Sequence, residues 1–119
     1  MGEDNPRLNV SSVDDVCVVE VVEKKLLDEL TISRVGEQLN ALTAANRNPR
    51  FVVDFSAVAQ MSSSALGMLI TLHKRIRERN GQLRICCIAP VIYEVFVITR
   101  LNEIFTICAS REEALESLR

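Results

Sequence analysis

Residues 51–88 constrain the chain most. They read FVVDF, a polar turn, SSSALGMLITLHKRIRERN and GQLRICCI. Two short apolar runs rich in β-branched residues flank a segment with a broad apolar face: Ala65, Leu66, Leu69, Ile70 and Leu72. Three serines, Ser62 to Ser64, open that segment, and Asn80-Gly81 closes it as a helix stop. The pattern predicts strands over 51–55 and 83–88 with a helix over 63–80 between them. Such a βαβ unit requires parallel pairing and a right-handed crossover.

The rest of the chain continues the alternation. Residues 1–9 are polar, contain Pro6 and read as a flexible N-terminal segment, with the folded domain over 10–119 and an edge strand near Val10. DVCVVEVVE at 15–23 is too dense in valine for a one-sided strand, so it is expected to be covered on both faces. Lys24 and Lys25 make a charged turn or strand end. Ile32, Val35, Leu39 and Leu42 recur three and four apart, the stripe of an amphipathic helix that runs to about residue 46 and stops before Pro49. VIYEVFVITR at 91–100 suits strand or helix by propensity, and Pro90, a good first helical residue, favours a short helix. A last strand is expected over 104–108. Ser110 and Glu113 form a capping box before a terminal helix carrying Ala114, Leu115 and Leu118. The expected fold is α/β, in the order β-β-α-β-α-β-α-β-α. It has one mixed sheet of four to five strands and four helices packed mainly on one face.

Composition narrows the function class. At 119 residues there is room for one core. A net charge of −2 argues against nucleic acid as the main partner, since phosphate binding needs clustered positive charge. The basic run Lys74, Arg75, Arg77 and Arg79 sits near a helix C-terminus, where cations are favourable, and reads as a solvated face. No apolar run approaches the roughly 20 residues of a membrane span, and the N-terminus has no secretory h-region. The expected location is the cytoplasm, without membrane insertion.

Cys17, Cys86, Cys87 and Cys108 all lie in apolar runs and read as buried, reduced thiols. Adjacent strand residues point to opposite faces, so Cys86 and Cys87 are not expected to converge on a metal without distortion. No metal site and no cofactor are expected. Neither is an enzyme: the single histidine, His73, lies roughly 15 Å along the helix from Ser63, at 1.5 Å per residue. The sequence has no nucleophile elbow, P-loop or dinucleotide fingerprint.

One stretch carries a specific resemblance. DFSAVAQMSSSALG at 54–67 resembles the signature of the STAS domains, the fold of the bacterial anti-sigma factor antagonists, whose usual form is D-[LF]-S-x-V-x-x-[ILM]-D-S-[ST]-[GA]-L-G. Segments 27–39 and 88–107 match the family's helix and strand order, so the resemblance covers about residues 15–119. It implies that Ser63 stands at the phosphorylated serine, with Ser64 as the second choice. Ser62, Ser64 and Ala65 then serve as helix cap and partner surface, and Gly67 lets the helix approach its neighbour closely. Ser62 departs from the pattern, because most phosphorylated members carry aspartate there and the local charge is lost. The implied function is binding to an anti-sigma factor serine kinase, which frees a sigma factor. The kinase then uses ATP to phosphorylate Ser63 and a phosphatase reverses it. The alternative within the family is a constitutive interaction module, such as a subunit of a membrane lipid-transport complex or a signalling scaffold, in which the serines only cap the helix.

Overall fold

The structure is a computed structural model that describes residues 8–119. A hairpin opens it. β1 (Leu8–Val13) pairs antiparallel with β2 (Val16–Val21), with Val13 opposite Val16. Asp14 and Asp15 form the two-residue turn, with φ of 51° and 67°. Two positive φ values match the strand twist in such tight hairpins, and Asp tolerates them. The first strand thus takes in Leu8 and Asn9, ahead of the domain start expected at residue 10. Residues 1–7 of the expected flexible segment lie outside the described residues.

After a two-residue strand β3 (Lys25–Leu26), the chain runs through α1 (Glu29–Ala44), β4 (Arg50–Asp54) and a second short strand β5 (Gln60–Met61). It continues through α2 (Ser63–Glu78), β6 (Gln82–Cys86) and α3 (Pro90–Ile98). A single 3₁₀ turn at Leu101–Glu103 leads to β7 (Thr106–Cys108) and α4 (Arg111–Ser117). Pro90 stands in the first turn of α3, so the ambiguous segment is helical. The main sheet has five strands in the order β1-β2-β4-β6-β7, parallel from β2 onward.

Strand alternation divides the core. Val19, Val21, Phe51, Val53, Leu83 and Ile85 face the larger cluster, where Ile32, Val35 and Leu39 of α1, Leu69, Leu72 and Ile76 of α2, and Phe96 of α3 pack on them. Val16, Val18, Val52, Cys86 and Cys108 face the other way and are covered by Ala114 and Leu118 of α4 and its end. Three helices therefore lie on one face and one short helix on the other. This explains why β2 is apolar on both sides. His73 sits half-buried at the rim of the α2 stripe, edge-on to Phe105 with ring centroids 5.3 Å apart.

Two glycines set distances between elements. Gly36, buried in α1, would place a Cβ 3.0 Å from Met68 Cγ, so it is this glycine that lets α1 and α2 approach closely. Gly67 does not have the role expected of it. It is exposed, and a Cβ there would meet nothing within 4 Å. At the far end of α2, Asn80 takes φ 59°. The Asn80 N–H donates to Arg77 O and the Gly81 N–H to Ile76 O, the paired bonds of a Schellman end. A Cβ on Gly81 would lie 2.2 Å from Pro49 O, so no side chain fits.

The short strands β3 and β5 are the feature missed in the sequence. They form a separate parallel pair with Lys25 opposite Gln60 and Leu26 opposite Met61. Ala59 and Gln60 N–H groups donate to Lys24 O, and Ser62 N–H donates to Leu26 O at 2.9 Å. These bonds clamp the start of α1 beside the start of α2.

Candidate functional site

The site is built at the N-terminus of α2. Its cap is Ser62: the backbone is extended (φ −90°, ψ 171°) and the hydroxyl accepts a hydrogen bond from the Ala65 N–H at 3.3 Å. That satisfies one of the four unpaired N–H groups of a helix start. The first turn of α2 carries no acidic residue, so the positive end of the helix is unopposed by its own side chains.

Ser63 and Ser64 follow, both exposed. The Ser63 hydroxyl makes no hydrogen bond among the described residues. Ser64 is engaged: its hydroxyl donates to Glu29 Oε2 at 2.7 Å. Glu29 is the first residue of α1, where a carboxylate is favoured by the helix dipole. Beside it Asp28 is occupied as the α1 cap, accepting from the Thr31 N–H and hydroxyl, and those bonds hold its carboxyl below the usual range. The three serines are therefore chemically distinct: one caps, one is free and one is bonded to an acid.

Ala65 does not belong to a partner surface as expected. It is fully buried, because the third position of the helix turns inward to the sheet. The exposed apolar surface lies beside the serines instead, on α3. Only Ile92 and Phe96 of that helix are buried, while Val91 is 62% and Ile98 80% exposed. Met61 and Leu66 on one side and Val91 and Val95 on the other line a groove of about 190 Å³ next to the α2 start. A helix this apolar on its exposed sides is a candidate contact surface. The β-branched run of residues 91–98 held this signal, which the sequence reading spent on the choice between helix and strand.

Behind the site, Asp54 at the end of β4 anchors the turn. Its Oδ1 accepts from the Ser56 N–H at 2.8 Å, and its Oδ2 accepts from the Arg111 guanidinium at 2.7 and 3.1 Å. Burial pushes this carboxyl up, but the Ser56 N–H and Arg111 outweigh it and hold it below the usual range.

Cys86 and Cys87 do come together, through the backbone distortion that strand alternation requires for it. Cys87 follows the end of β6 with φ 63°, which swings its thiol back, and the two sulfurs and an Asp54 oxygen lie within 4.8 Å of one another. Both Asp54 oxygens are already bonded, one of them to a cation, which opposes a metal ion there. Burial raises the Cys86 thiol, and Cys87 beside it raises it further. Cys86 and Cys108 are buried, whereas Cys17 and Cys87 are only half-buried, so the expectation of four largely covered thiols holds for two. No helix among the described residues is long and apolar enough to cross a membrane.

With this geometry in place, comparison with known proteins agrees with it. The STAS domain family profile matches residues 7–114. BtrV of Bordetella bronchiseptica, by name a candidate anti-sigma factor antagonist, is 33% identical over 87 residues, which is 71% of this chain and 75% of that protein. The fold superimposes on an anti-sigma factor antagonist (STAS) domain protein from Planctomyces limnophilus with a TM-score of 0.83 at 23% identity, covering 94% of this chain and 97% of that one. It also superimposes on the Bacillus cell fate determinant SpoIIAA in its phosphorylated form, with a TM-score of 0.70 at 16% identity, over 94% and 99% of the two chains. The mixed five-stranded sheet and the helix arrangement are thus those of a known group, and the chain belongs to the STAS domain family.

Proposed function

We propose that this protein is an anti-sigma factor antagonist that acts in the cytoplasm by binding, without catalysis of its own. Its partner is an anti-sigma factor with serine kinase activity, and phosphorylation of Ser63 switches the binding off. The observation that carries the reading is the state of Ser63: exposed, with its hydroxyl unbonded among the described residues, at the start of a helix with no acid in its first turn. A kinase can reach such a group, and the helix end tolerates the added charge. Homology to a protein named for this activity and a fold shared with a protein known in a phosphorylated form support it.

The groove between α2 and α3 supplies the rest. Its apolar lining offers the partner area to bury, and Ser63 lies in the chain between two of its lining residues, Met61 and Leu66. A phosphate there adds about −1.5 to −2 charges at a surface meant to be desolvated. Binding is lost by repulsion and desolvation while the fold stays. A phosphatase restores the binding form.

Two measurements test this. Protein isolated from its own cells should contain a species one phosphate heavier, removed by phosphatase and mapped to Ser63. Ser63→Asp should keep its circular dichroism spectrum but bind the kinase at least tenfold more weakly, about 1.4 kcal/mol, while Ser63→Ala binds as the native protein does. If no serine at 62–64 ever carries phosphate, the domain is a constitutive interaction module and the switch is discarded.

A further inference from the structure

We propose that Glu29 selects Ser63 over Ser64 as the phosphate acceptor. This rests on the phosphorylation reading above and names the residue that sets its specificity. Three neighbouring hydroxyls offer themselves at the start of α2, and a kinase site wide enough for Ser63 would be wide enough for Ser64. What separates them is a carboxylate from another helix. Glu29 Oε2 lies 2.7 Å from Ser64 Oγ, whereas the Ser63 hydroxyl has no partner among the described residues. The two side chains also diverge by about 100° around the helix axis, so the same carboxylate cannot face both equally.

The chemistry of transfer makes that difference decisive. The serine oxygen forms a bond to the γ-phosphorus of ATP, the bond from that phosphorus to the β-γ bridging oxygen breaks, ADP leaves and the hydroxyl proton passes to a base of the kinase. At Ser64 the incoming phosphoryl group would arrive, and remain, beside the full negative charge of Glu29. Like charges at about 4 Å disfavour the phosphorylated product by about tenfold or more, even with substantial solvent screening.

The placement is built into the fold. The β3–β5 pair and the Ser62 N–H bond to Leu26 O hold segment 24–28 against segment 59–62. That fixes the first residue of α1 beside the first turn of α2. Glu29 thereby returns a carboxylate to the α2 start, where Ser62 replaces the family's usual aspartate, but places it against Ser64.

The test uses Glu29→Gln, which keeps the size and a hydrogen-bond acceptor for Ser64 and removes only the charge. Native protein, E29Q, Ser63→Ala and the double variant are expressed in the cells that normally make the protein, and phosphate is mapped by mass spectrometry. Native protein should carry phosphate at Ser63 alone and Ser63→Ala should carry none. E29Q should carry phosphate at Ser64 that native protein lacks, and the double variant should be phosphorylated at Ser64. Phosphate at Ser63 alone in E29Q, with none in the double variant, overturns the role of Glu29 and leaves the switch standing. Phosphate at Ser64 in native protein also overturns it. Absence of phosphate from native protein and every variant sinks the phosphorylation reading, and this inference with it.

Discussion

The helices α2 and α4 begin alike and differ in what fills their first turn. α2 follows β5 of the small parallel pair and α4 follows β7 of the main sheet, and both are capped by a serine whose hydroxyl accepts from the N–H three residues on: Ser62 from Ala65 at 3.3 Å and Ser110 from Glu113 at 3.1 Å. In α4 the first turn holds Glu112 and Glu113, and the Glu113 side chain reaches back to accept from the Ala109 N–H at 2.7 Å. That bond falls one residue before the cap, a shifted form of the expected capping box. Arg111 then ties the same turn to buried Asp54. In α2 the first turn has no acid, and its third residue, Ala65, is core. One start is neutralised and bolted down by its own side chains. The other has no acid of its own, Glu29 of α1 being bonded to Ser64, and among the described residues it leaves the Ser63 hydroxyl unbonded, which is what separates a structural helix end from one fit to receive charge.

The largest effect expected from breaking this contrast comes at the bolt. Asp54→Ala should cost about 2 kcal/mol in urea denaturation, because it strands the Ser56 N–H and leaves Arg111 without its buried partner. Arg111 is partly exposed, which keeps the figure below that of a fully buried pair. The same pair predicts a pH dependence. The Asp54 carboxyl titrates lower in the folded protein than in the unfolded chain, so its stabilisation is complete above the ordinary carboxylate range, near pH 4. It drains away as the pH falls through that range and below. His73 adds in the same direction at milder acidity. Burial and Arg77 lower its pKa, so its neutral form is preferred in the folded state and stability declines as the pH drops below about 6.5. A native protein as stable at pH 3 as at pH 7 would contradict both.

The caps come next. Ser62→Ala and Ser110→Ala should each lower stability by about 1 kcal/mol. If Ser62→Ala also abolished phosphorylation while Ser63→Ala did not, the residue placed as cap would be the acceptor and the contrast would have to be redrawn.

Gly67 offers a smaller effect of opposite sign. It lies one turn after Ser63, on the same face, with open space around it. Gly67→Ala should stabilise α2 by up to about 1 kcal/mol, since helical alanine is favoured and nothing obstructs it. Gly36→Ala should not, because Met68 would have to move. A rise in melting temperature accompanied by weaker partner binding would locate the partner on the Ser63 face. Smallest of all, Glu113→Gln should cost about 0.5 kcal/mol by weakening the acid that neutralises the α4 start.

Much of this architecture is legible in one dimension. Period-two valine runs, period-three-to-four stripes, Pro90, Asn80-Gly81 and Ser110 are local signals, and a residue's own backbone preference or that of its near neighbours decides them. They sufficed for the order of the main-sheet strands and the four helices, the parallel pairing, the two-faced burial of β2 and the surface position of Ser63. The signature at 54–67 added which helix start to examine. Boundaries slipped by a few residues where tertiary packing ends an element early. Residues 104 and 105 were expected in the last strand and instead lie between the 3₁₀ turn and β7.

What the sequence could not settle are distances between segments far apart in the chain. The β3–β5 pair is two residues long on each side, too short to carry a periodicity, and exists because its backbone groups meet across the fold. Glu29 and Ser64 are 35 residues apart, and nothing local marks either as the other's partner. Gly36 and Gly67 look equivalent in one dimension, yet one faces Met68 and the other faces solvent. Cys87 looks like a strand residue until the chain leaves the sheet and takes a positive φ. Local propensity and pattern are summed along the chain, so the sequence by itself determines which elements form and which face each buries. Contacts are summed over space, so only the packed structure decides which side chains meet, and the division of labour among Ser62, Ser63 and Ser64 is of that second kind.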